Sequence, residues 1–155
     1  MFRARSVTDV RRRVSAWRRA GERIAFVPTM GAIHEGHLSL MRRARAGADR
    51  VVVSVFVNPL QFGPREDYAS YPRPGSRDRA LLKAVGVDLL WKPRVADLYP
   101  PGDRTRVRVA GLEDRLEGVS RRGHFEGVAT VVLKLLNVVD PDVVWLGQKD
   151  AQQAR

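Results

Sequence analysis

The sequence predicts an α/β fold in which helices cover both faces of a mostly parallel β-sheet. Short apolar runs rich in valine recur along the chain, and such runs are typical of strands that are buried on both faces. Between them lie longer segments whose apolar residues are spaced by threes and fours, as in helices. Strands that alternate with helices favour parallel pairing with right-handed crossovers, and ligands bind such sheets where the strands end. A ligand-binding site is therefore expected in the loops that follow the strands.

The elements follow one another in a regular order, beginning with a basic helix. Strands are predicted at residues 23–27, 49–57, 87–91, 104–109 and 143–146. The segment 104–109 alternates like an exposed strand, whereas the other strands are apolar. Later helices are predicted at residues 37–46, 77–85 and 127–139, and the second of these stops at Gly86.

The loop of residues 27–37 carries the clearest functional pattern. Pro28 and Gly31 interrupt the chain directly after the first predicted strand, and a helical pattern begins shortly afterwards. A helix N-terminus presents unpaired N–H groups and a partial positive charge, which suit a phosphate. His34 and His37 lie three residues apart, so both imidazoles are expected on one side of the first helical turn, where they can donate hydrogen bonds to one anion. The pattern predicts a phosphate-binding loop.

Two other interpretations of the histidine pair stay open at this point. Either histidine could simply cap the helix. Zinc is the second possibility, but the chain has no cysteine and only one further histidine, His124. The spacing of His34 and His37 is also one residue shorter than that of the HExxH zinc motif.

Polar residues that follow other predicted strands are expected to meet the histidines at the same edge of the sheet. The first loop adds Thr29, the second provides Asn58 and Gln61, and the last provides Lys149, Asp150, Gln152 and Gln153. A fourth segment, residues 117–125, is a glycine-rich turn with adjacent cations. Each segment alone is compatible with loop solubility or capping, but together they suit a nucleoside triphosphate beside a small hydroxylated acid. No GxxxxGK(S/T) or GxGxxG pattern is present, which argues against a Walker-type kinase and a dinucleotide site.

Length and composition narrow the class of protein. The 155 residues are expected to form a single domain, residues 1–155, with no apolar run long enough to span a membrane and no signal peptide. The absence of cysteine fits a cytoplasmic protein. The net charge of +11 suggests nucleic-acid binding, but only four of the 28 basic residues are lysine, and the arginines are spread out apart from residues 11–13, 18 and 19. A basic surface that attracts anionic small molecules explains the charge equally well, so no nucleic-acid or membrane partner is expected.

Four stretches of the sequence together resemble one enzyme family. They are VPTMGAIHEGHLSL, VVVSVFVNPLQFGPREDYASYPR, RLEGVSRRGHFEGVATVVLKLLNVV and LGQKDAQQ. In this order they resemble the pantothenate synthetase family, whose members use ATP to join pantoate to β-alanine, and the resemblance extends from about Ile24 to the last residue. The HxGH motif is shared by a broad superfamily of nucleotidyltransferases, whereas NPLQFG, GHFEGVATVV and KDAQQ are specific to this family.

The resemblance implies a Rossmann-like domain of the HxGH nucleotidyltransferase type that activates pantoate as an acyl adenylate. The carboxylate of pantoate attacks the α-phosphorus of ATP and pyrophosphate leaves, after which the amine of β-alanine attacks the mixed anhydride and releases AMP. Such chemistry requires positioning and charge neutralisation more than an acid–base pair. ATP is expected as a substrate with Mg²⁺ bridging its phosphates, no tightly bound cofactor is expected, and the family implies a homodimer.

Matching positions carry the family's roles over to individual residues. His34 and His37 would contact the ATP phosphates and stabilise the transition state, and Lys149 would neutralise phosphate charge. Asp150 would approach the ribose. Further nucleotide contacts are implied for Met30, through its main chain and by packing, and for Gly147. Pantoate would be held by Gln61 and Gln153, with Arg121 and Glu117 as supporting residues.

The sequence departs from the family pattern at three places. Gln148 stands where the family usually has glutamate, which removes one negative charge beside the lysine. Asp78 is kept as a candidate magnesium ligand, but Arg77 stands where some members have a second acid, which weakens that candidate. Family members continue well beyond KDAQQ through further strands and a smaller C-terminal domain, which is missing here.

The difference in length leads to further expectations. The chain would be the N-terminal part of a family member, whether excised, truncated or shown in part. Alone it would bind ATP or pantoate weakly and turn over slowly, because a loop that closes over the triphosphate is missing. An apolar sheet edge at residues 143–146 would be exposed and favour association. The alternatives are a catalytically inactive fragment, a different HxGH nucleotidyltransferase, or a nonenzymatic basic module that binds nucleic acid.

Overall fold

A parallel five-stranded sheet forms the centre of the computed structural model, which describes residues 1–63, 68–72 and 74–152. The strands span Phe2–Ala4 (β1), Ile24–Thr29 (β2), Arg50–Val55 (β3), Leu89–Trp91 (β4) and Val143–Val144 (β5). Their order across the sheet is β1-β4-β3-β2-β5, and every neighbouring pair is parallel. The pair β2–β3 lies at the centre and is in register over its full length, from Ile24 opposite Arg50 to Thr29 opposite Val55.

Helices connect the strands. They span Val7–Arg19 (α1), Glu35–Gly47 (α2), Gly75–Ala84 (α3), Val95–Leu98 (α4), Glu117–Ser120 (α5) and His124–Val139 (α6). Two short 3₁₀ turns, Pro59–Gln61 and Gln148–Asp150, follow β3 and β5. The helix after β3 ends as the sequence predicts: α3 gives way to Gly86, whose φ of +85° lies in the left-handed region that favours glycine.

The core lies on both faces of the sheet because successive side chains of a strand point to opposite sides. Ile24 and Phe26 of β2 pack on the side that carries α1 and α6, together with Val10 and Leu135. Ala25 and Val27 pack on the other side, which carries α2 and α3. The expected α/β architecture, with helices on both faces of a parallel sheet, is confirmed.

The predicted strand at residues 104–109 is wrong: the segment has no regular secondary structure. The main-chain amide of Val107 donates to the hydroxyl of Thr130 on α6 at 2.9 Å, so this segment bonds to a helix side chain instead of a strand. The strand β1 was missed. Its short sequence, FRA, has no strand pattern, and it forms by pairing with the distant β4.

The last predicted strand is shorter than expected. β5 comprises Val143 and Val144, pairs with β2 alone and is half-buried, so it forms one edge of the sheet. Within the described residues, no helix is both long enough and apolar enough to cross a membrane.

Candidate functional site

A cleft of about 420 Å³ opens where β2 and β3 end, beside the first turns of α2 and α6. Aliphatic residues of α6 form an apolar wall, consisting of Val128, Val131, Val132 and Leu135. The opposite side is polar and is formed by the loop after β2 and the turn after β5. Of the residues that the sequence predicts for the site, the cleft brings together Thr29, Met30, His34, His37, Gln61, Arg121, Lys149 and Asp150.

The two histidines at the start of α2 lie in contact, with their ring centroids 4.0 Å apart. His34 caps the helix, because its Nδ1 accepts a hydrogen bond from the Gly36 amide at 3.1 Å. The Nδ1 of His37 accepts from the His34 amide at 3.4 Å. An Nδ1 that accepts leaves the proton of a neutral ring on Nε2. Both rings therefore cap the helix and still present an N–H donor, so capping and phosphate binding are compatible.

The environment of His37 keeps its ring uncharged. Burial lowers the pKa of His37 below its ordinary value of 6.5, and the neighbouring His34 and Lys149 lower it further because they disfavour a second positive charge close to them. Asp150 and Asp78 oppose this shift more weakly. At neutral pH the ring is therefore a neutral Nε2–H donor, and the positive charge on this side of the cleft comes from Lys149.

A glycine and a buried carboxylate shape the loop that carries His34. Gly31 has a φ of +93°, and a β-carbon there would lie 3.0 Å from Cγ1 of Val55. Asp78 of α3 is only 3% exposed, and its two oxygens accept hydrogen bonds from the amides of Ala32 at 3.1 Å and Ile33 at 2.9 Å. Asp78 thus holds the loop in place from another part of the chain.

This contact gives Asp78 a structural task that the sequence did not predict. Both of its oxygens are occupied by main-chain N–H groups, and its role as a magnesium ligand stays a prediction. Across residues 1–63, 68–72 and 74–152, no three histidine or acidic side chains lie together in a way that could hold a metal ion.

Gln61 is positioned by close packing of the turn after β3 against α6. Buried Asn58 accepts from the Leu60 amide at 3.3 Å and from the Tyr99 hydroxyl at 2.8 Å, and it donates to the carbonyl of Gly127 at 3.0 Å. A β-carbon on Gly127 would lie 2.6 Å from the carbonyl carbon of Leu60, so the approach requires glycine. Asn58, expected as a polar site residue, is a buried anchor for this turn.

The side chain of Gln61 reaches across the cleft. Its Nε2 lies 2.9 Å from Sδ of Met30, which joins the loop after β2 to the turn after β3. The next residue, Phe62, packs edge-on against Tyr71, which also lines the cleft. Burial raises the pKa of the Tyr71 hydroxyl above its ordinary value, so this hydroxyl is protonated at neutral pH.

His124 is the main residue of the site that sequence reasoning missed. It begins α6, its Nδ1 lies 2.9 Å from the carbonyl oxygen of Gln61, and its Nε2 lies 3.0 Å from Nη1 of Arg121. The sequence offered one signal, the adjacency of His124 to the cations of the glycine-rich turn. Glu113 holds this corner, because its carboxylate accepts from the amides of Gly123 and Glu126 at 3.0 Å each.

The turn after β5 brings a charged pair to the mouth of the cleft. Nζ of Lys149 lies 3.1 Å from Oδ1 of Asp150, and the lysine side chain is 70% exposed. The carbonyl of Gly147 accepts from the Asp150 amide at 2.9 Å and so closes the turn. Gly147 is not among the described residues that line the cleft, and its contact with the nucleotide stays a prediction.

Two further predicted residues lie apart from the cleft or outside the described part. Glu117 is exposed at the start of α5, where its amide donates to Oε1 of Gln152 at 3.3 Å. Gln152 in turn donates to the carbonyls of Leu112 and Arg115, so it ties the end of the described chain to this turn. Gln153 lies outside the described residues, and its contact with pantoate stays a prediction.

Comparison with protein families and curated proteins gives a consistent result. The family model described as pantoate-beta-alanine ligase matches residues 3–155. A pantothenate synthetase from Gluconobacter oxydans is 62% identical over 130 residues, which cover 84% of this chain and 47% of that protein. The pantothenate synthetase of Syntrophotalea carbinolica is 56% identical over 147 residues, covering 95% of this chain and 52% of that protein. The chain thus spans about half the length of the curated relatives it matches.

Solved structures agree with the sequence matches. The crystal structure of pantothenate synthetase from Thermus thermophilus superposes with a TM-score of 0.91 at 52% identity, covering 99% of this chain and 54% of that one. A pantoate-beta-alanine ligase from Francisella tularensis, complexed with beta-gamma ATP and beta-alanine, superposes with a TM-score of 0.90 at 42% identity and covers 99% of this chain and 59% of its own.

Proposed function

The chain belongs to the pantoate-beta-alanine ligase family, and from that premise we propose that it catalyses the ATP-dependent ligation of pantoate and β-alanine to pantothenate. The observation that carries the proposal is the cleft, in which the two imidazoles, the ammonium group of Lys149 and the side-chain amide of Gln61 surround one space. A relative crystallised with beta-gamma ATP and beta-alanine supports the choice of substrates.

In the first step the enzyme forms pantoyl adenylate. A carboxylate oxygen of pantoate attacks the α-phosphorus of ATP, the new P–O bond forms, and the bond to pyrophosphate breaks with its electron pair on the leaving group. Negative charge builds up on the phosphate oxygens during this displacement. The Nε2–H groups of His34 and His37 donate to those oxygens, and Lys149 neutralises charge from the mouth of the cleft.

In the second step the amide bond forms. The neutral amine of β-alanine attacks the acyl carbon of the adenylate, the C–N bond forms, and AMP leaves with the electron pair of the C–O bond. The amine proton passes to solvent. Neither step needs a strong base from the protein, which agrees with a site built from donors and amides rather than paired carboxylates.

The substrates occupy different walls of the cleft in this proposal. Pantoate lies against the apolar wall of α6 beside Gln61, which holds its hydroxyl or carboxylate groups. The family resemblance assigns Gln153 a second contact with these groups. The nucleotide lies over the start of α2, with Asp150 at its ribose and Met30 packed beside it. Arg121 supports the site from the turn between α5 and α6. ATP would enter as its magnesium complex, and the metal would neutralise part of the phosphate charge beside Lys149.

We further propose a cytoplasmic homodimer. Leu116 and Val119 are large apolar residues that are 79% and 63% exposed, and a second copy of the chain would cover them. The sequence has no cysteine and therefore no disulfide that would require an oxidising compartment.

A product assay tests the reaction. Incubation with pantoate, β-alanine and magnesium ATP is expected to yield pantothenate, AMP and pyrophosphate in equal amounts. His34→Ala and Gln61→Ala should each reduce the rate by at least about tenfold, since each removes a group that acts on one substrate. Glu35→Ala is the matched control, because Glu35 lies in the same helical turn but pairs outward with Arg42.

The same assay separates this function from that of another HxGH nucleotidyltransferase. Such an enzyme would join the nucleotide to its substrate and accumulate a nucleotide conjugate, and it would not need an amine. A stable conjugate, or product formation that does not depend on pantoate, would contradict the proposal.

A further inference from the structure

Gln61 is the last residue of the turn after β3, and the hydrogen bonds within this turn hold it only weakly. The amide of Gln61 reaches the Asn58 carbonyl at 3.4 Å, and the amide of Phe62 reaches the Pro59 carbonyl at the same distance of 3.4 Å. Both distances are long for N–H···O bonds, which usually lie near about 2.9–3.0 Å. The direction of the Gln61 side chain therefore depends on contacts from outside the turn.

The ring of His124 provides such a contact. Its Nδ1 lies 2.9 Å from the carbonyl oxygen of Gln61. A carbonyl oxygen can only accept, so the proton must be on Nδ1. The residue lies at the first position of α6, and the close approach at Gly127 keeps this helix against the turn. His124 is thus fixed relative to Gln61 by the packing of the helix.

Arg121 selects the tautomer of the ring. Its Nη1 lies 3.0 Å from Nε2 of His124, and a guanidinium group can only donate, so Nε2 must accept. The hydrogen bonds on both sides of the ring then require the same neutral form, with the proton on Nδ1. This is the opposite of His34 and His37, whose Nδ1 atoms accept from main-chain amides and whose protons are on Nε2.

We propose that His124, held in its Nδ1–H form by Arg121, is a positioning residue that fixes the main chain of Gln61 and so aims the Gln61 amide into the cleft. The proposal rests on the proposed function only in naming pantoate as the ligand of Gln61. Arg121 gains a definite role, since it acts on the substrate site through His124.

The tautomers can be read directly without any ligand. The chain has three histidines, so long-range ¹H–¹⁵N correlation spectra of the ligand-free protein resolve each ring. At a mildly alkaline pH His124 is expected to show a protonated Nδ1 and an unprotonated Nε2, whereas His34 and His37 show the reverse. The same tautomer in all three rings, or a proton on Nε2 of His124, would overturn the proposal. In Arg121→Ala only the bond to the Gln61 carbonyl still favours a proton on Nδ1, so the fraction of the Nε2–H tautomer of His124 should rise above that of the wild-type protein.

Two matched substitutions test the positioning role. In His124→Asn the side-chain NH₂ takes the place of Nδ1–H, whereas in His124→Gln it takes the place of Nε2. In His124→Asn the side-chain amide resonance of Gln61 is expected to stay near its wild-type position, whereas in His124→Gln it is expected to shift. Pantoate affinity measured by calorimetry should fall about threefold to tenfold in His124→Gln and change less than about twofold in His124→Asn, as loss of one hydrogen bond predicts.

ATP affinity and the unfolding midpoint serve as internal controls and should be alike in the two variants. Equal effects of Asn and Gln on the Gln61 resonance would overturn the positioning role. A wild-type protein that shows the expected tautomers and Gln61 shifts but binds no pantoate would instead contradict the proposed function, so the two failures are distinguishable.

Discussion

The ring of His34 lies directly over the main chain of Gly36. Its Nδ1 accepts a hydrogen bond from the Gly36 amide at 3.1 Å, and a β-carbon on residue 36 would lie 2.9 Å from Cε1 of the ring. The backbone conformation does not explain the glycine of the HxGH motif, because φ at position 36 is not in the left-handed region. The glycine is required instead because the ring of the first histidine occupies the space of a β-carbon.

Gly36→Ala should separate ligand binding from stability. Alanine is the better helix former, and position 36 is exposed, so the unfolding midpoint should change little. The His34 ring must however move off its cap, and we expect the Kd for magnesium ATP to rise about tenfold, as the loss of one charge-assisted contact predicts. Calorimetry measures the Kd, with Glu35→Ala as the control in the same turn. Unchanged ATP affinity in Gly36→Ala would contradict the steric explanation.

The protonation of His37 should be shifted to acid pH. Burial, His34 and Lys149 all lower its pKa, so an NMR titration of the ring should give a midpoint below 6.5. Lys149→Gln removes one of these causes and should raise the midpoint. In the unfolded chain the ring takes up its proton at the ordinary pKa, so the contribution of His37 to stability decreases as the pH falls below 6.5. A titration midpoint at or above pH 6.5 would show that the surroundings of His37 favour its protonated form, which would contradict this prediction.

Asp78→Asn tests whether this carboxylate serves the loop or a metal. One acceptor oxygen becomes an NH₂ group that faces a main-chain N–H, and the buried mismatch should lower the free energy of unfolding by about 1–3 kcal/mol. Asp114→Asn is the matched control, since Asp114 is exposed, and it should change stability by less than about 0.5 kcal/mol. Urea unfolding measures both. If the two variants were equally stable and only Asp78→Asn bound ATP with a weaker dependence on magnesium, Asp78 would be a metal ligand and not a support of the loop.

Gly127→Ala should destabilise the contact between α6 and the turn that carries Gln61. The new methyl group would lie 2.6 Å from the carbonyl carbon of Leu60, and the backbone would have to shift, at a cost of about 1–3 kcal/mol. Gly47→Ala offers a control in a helix, because a β-carbon at position 47 meets nothing within 4 Å and should leave stability unchanged or raise it by up to about 1 kcal/mol. Thermal unfolding compares them, and a stabilising Gly127→Ala would show that the helix and turn can separate freely.

Most of the sheet and the start of α2 follow from local sequence patterns. The apolar runs that became β2 and β3 are buried on both faces, and a run of this kind has few alternatives to a central parallel strand. His34 and His37 lie at the helix start as expected, because their spacing and the helix start are both local features. The segment 104–109 shows the limit of such patterns. Its polar and apolar residues alternate as in an exposed strand, but the main-chain amide of Val107 bonds to the side chain of Thr130.

The residues that the sequence could not place depend on contacts between distant segments. Asp78 meets the amides of Ala32 and Ile33 from 46 and 45 residues away, and His124 meets Gln61 from 63 residues away. No local pattern marks a carboxylate whose partners are main-chain amides elsewhere. A polar residue in a loop can therefore be predicted as part of a site, while its task is decided by the fold.

Formation of pantoyl adenylate in the cleft can be measured by ATP–pyrophosphate exchange in the presence and absence of pantoate. If the cleft forms pantoyl adenylate, labelled pyrophosphate enters ATP only when pantoate is present, β-alanine is not required, and His34→Ala abolishes the exchange. Exchange that proceeds equally without pantoate, or no exchange in a protein that binds both ATP and pantoate, would contradict the formation of pantoyl adenylate in this cleft.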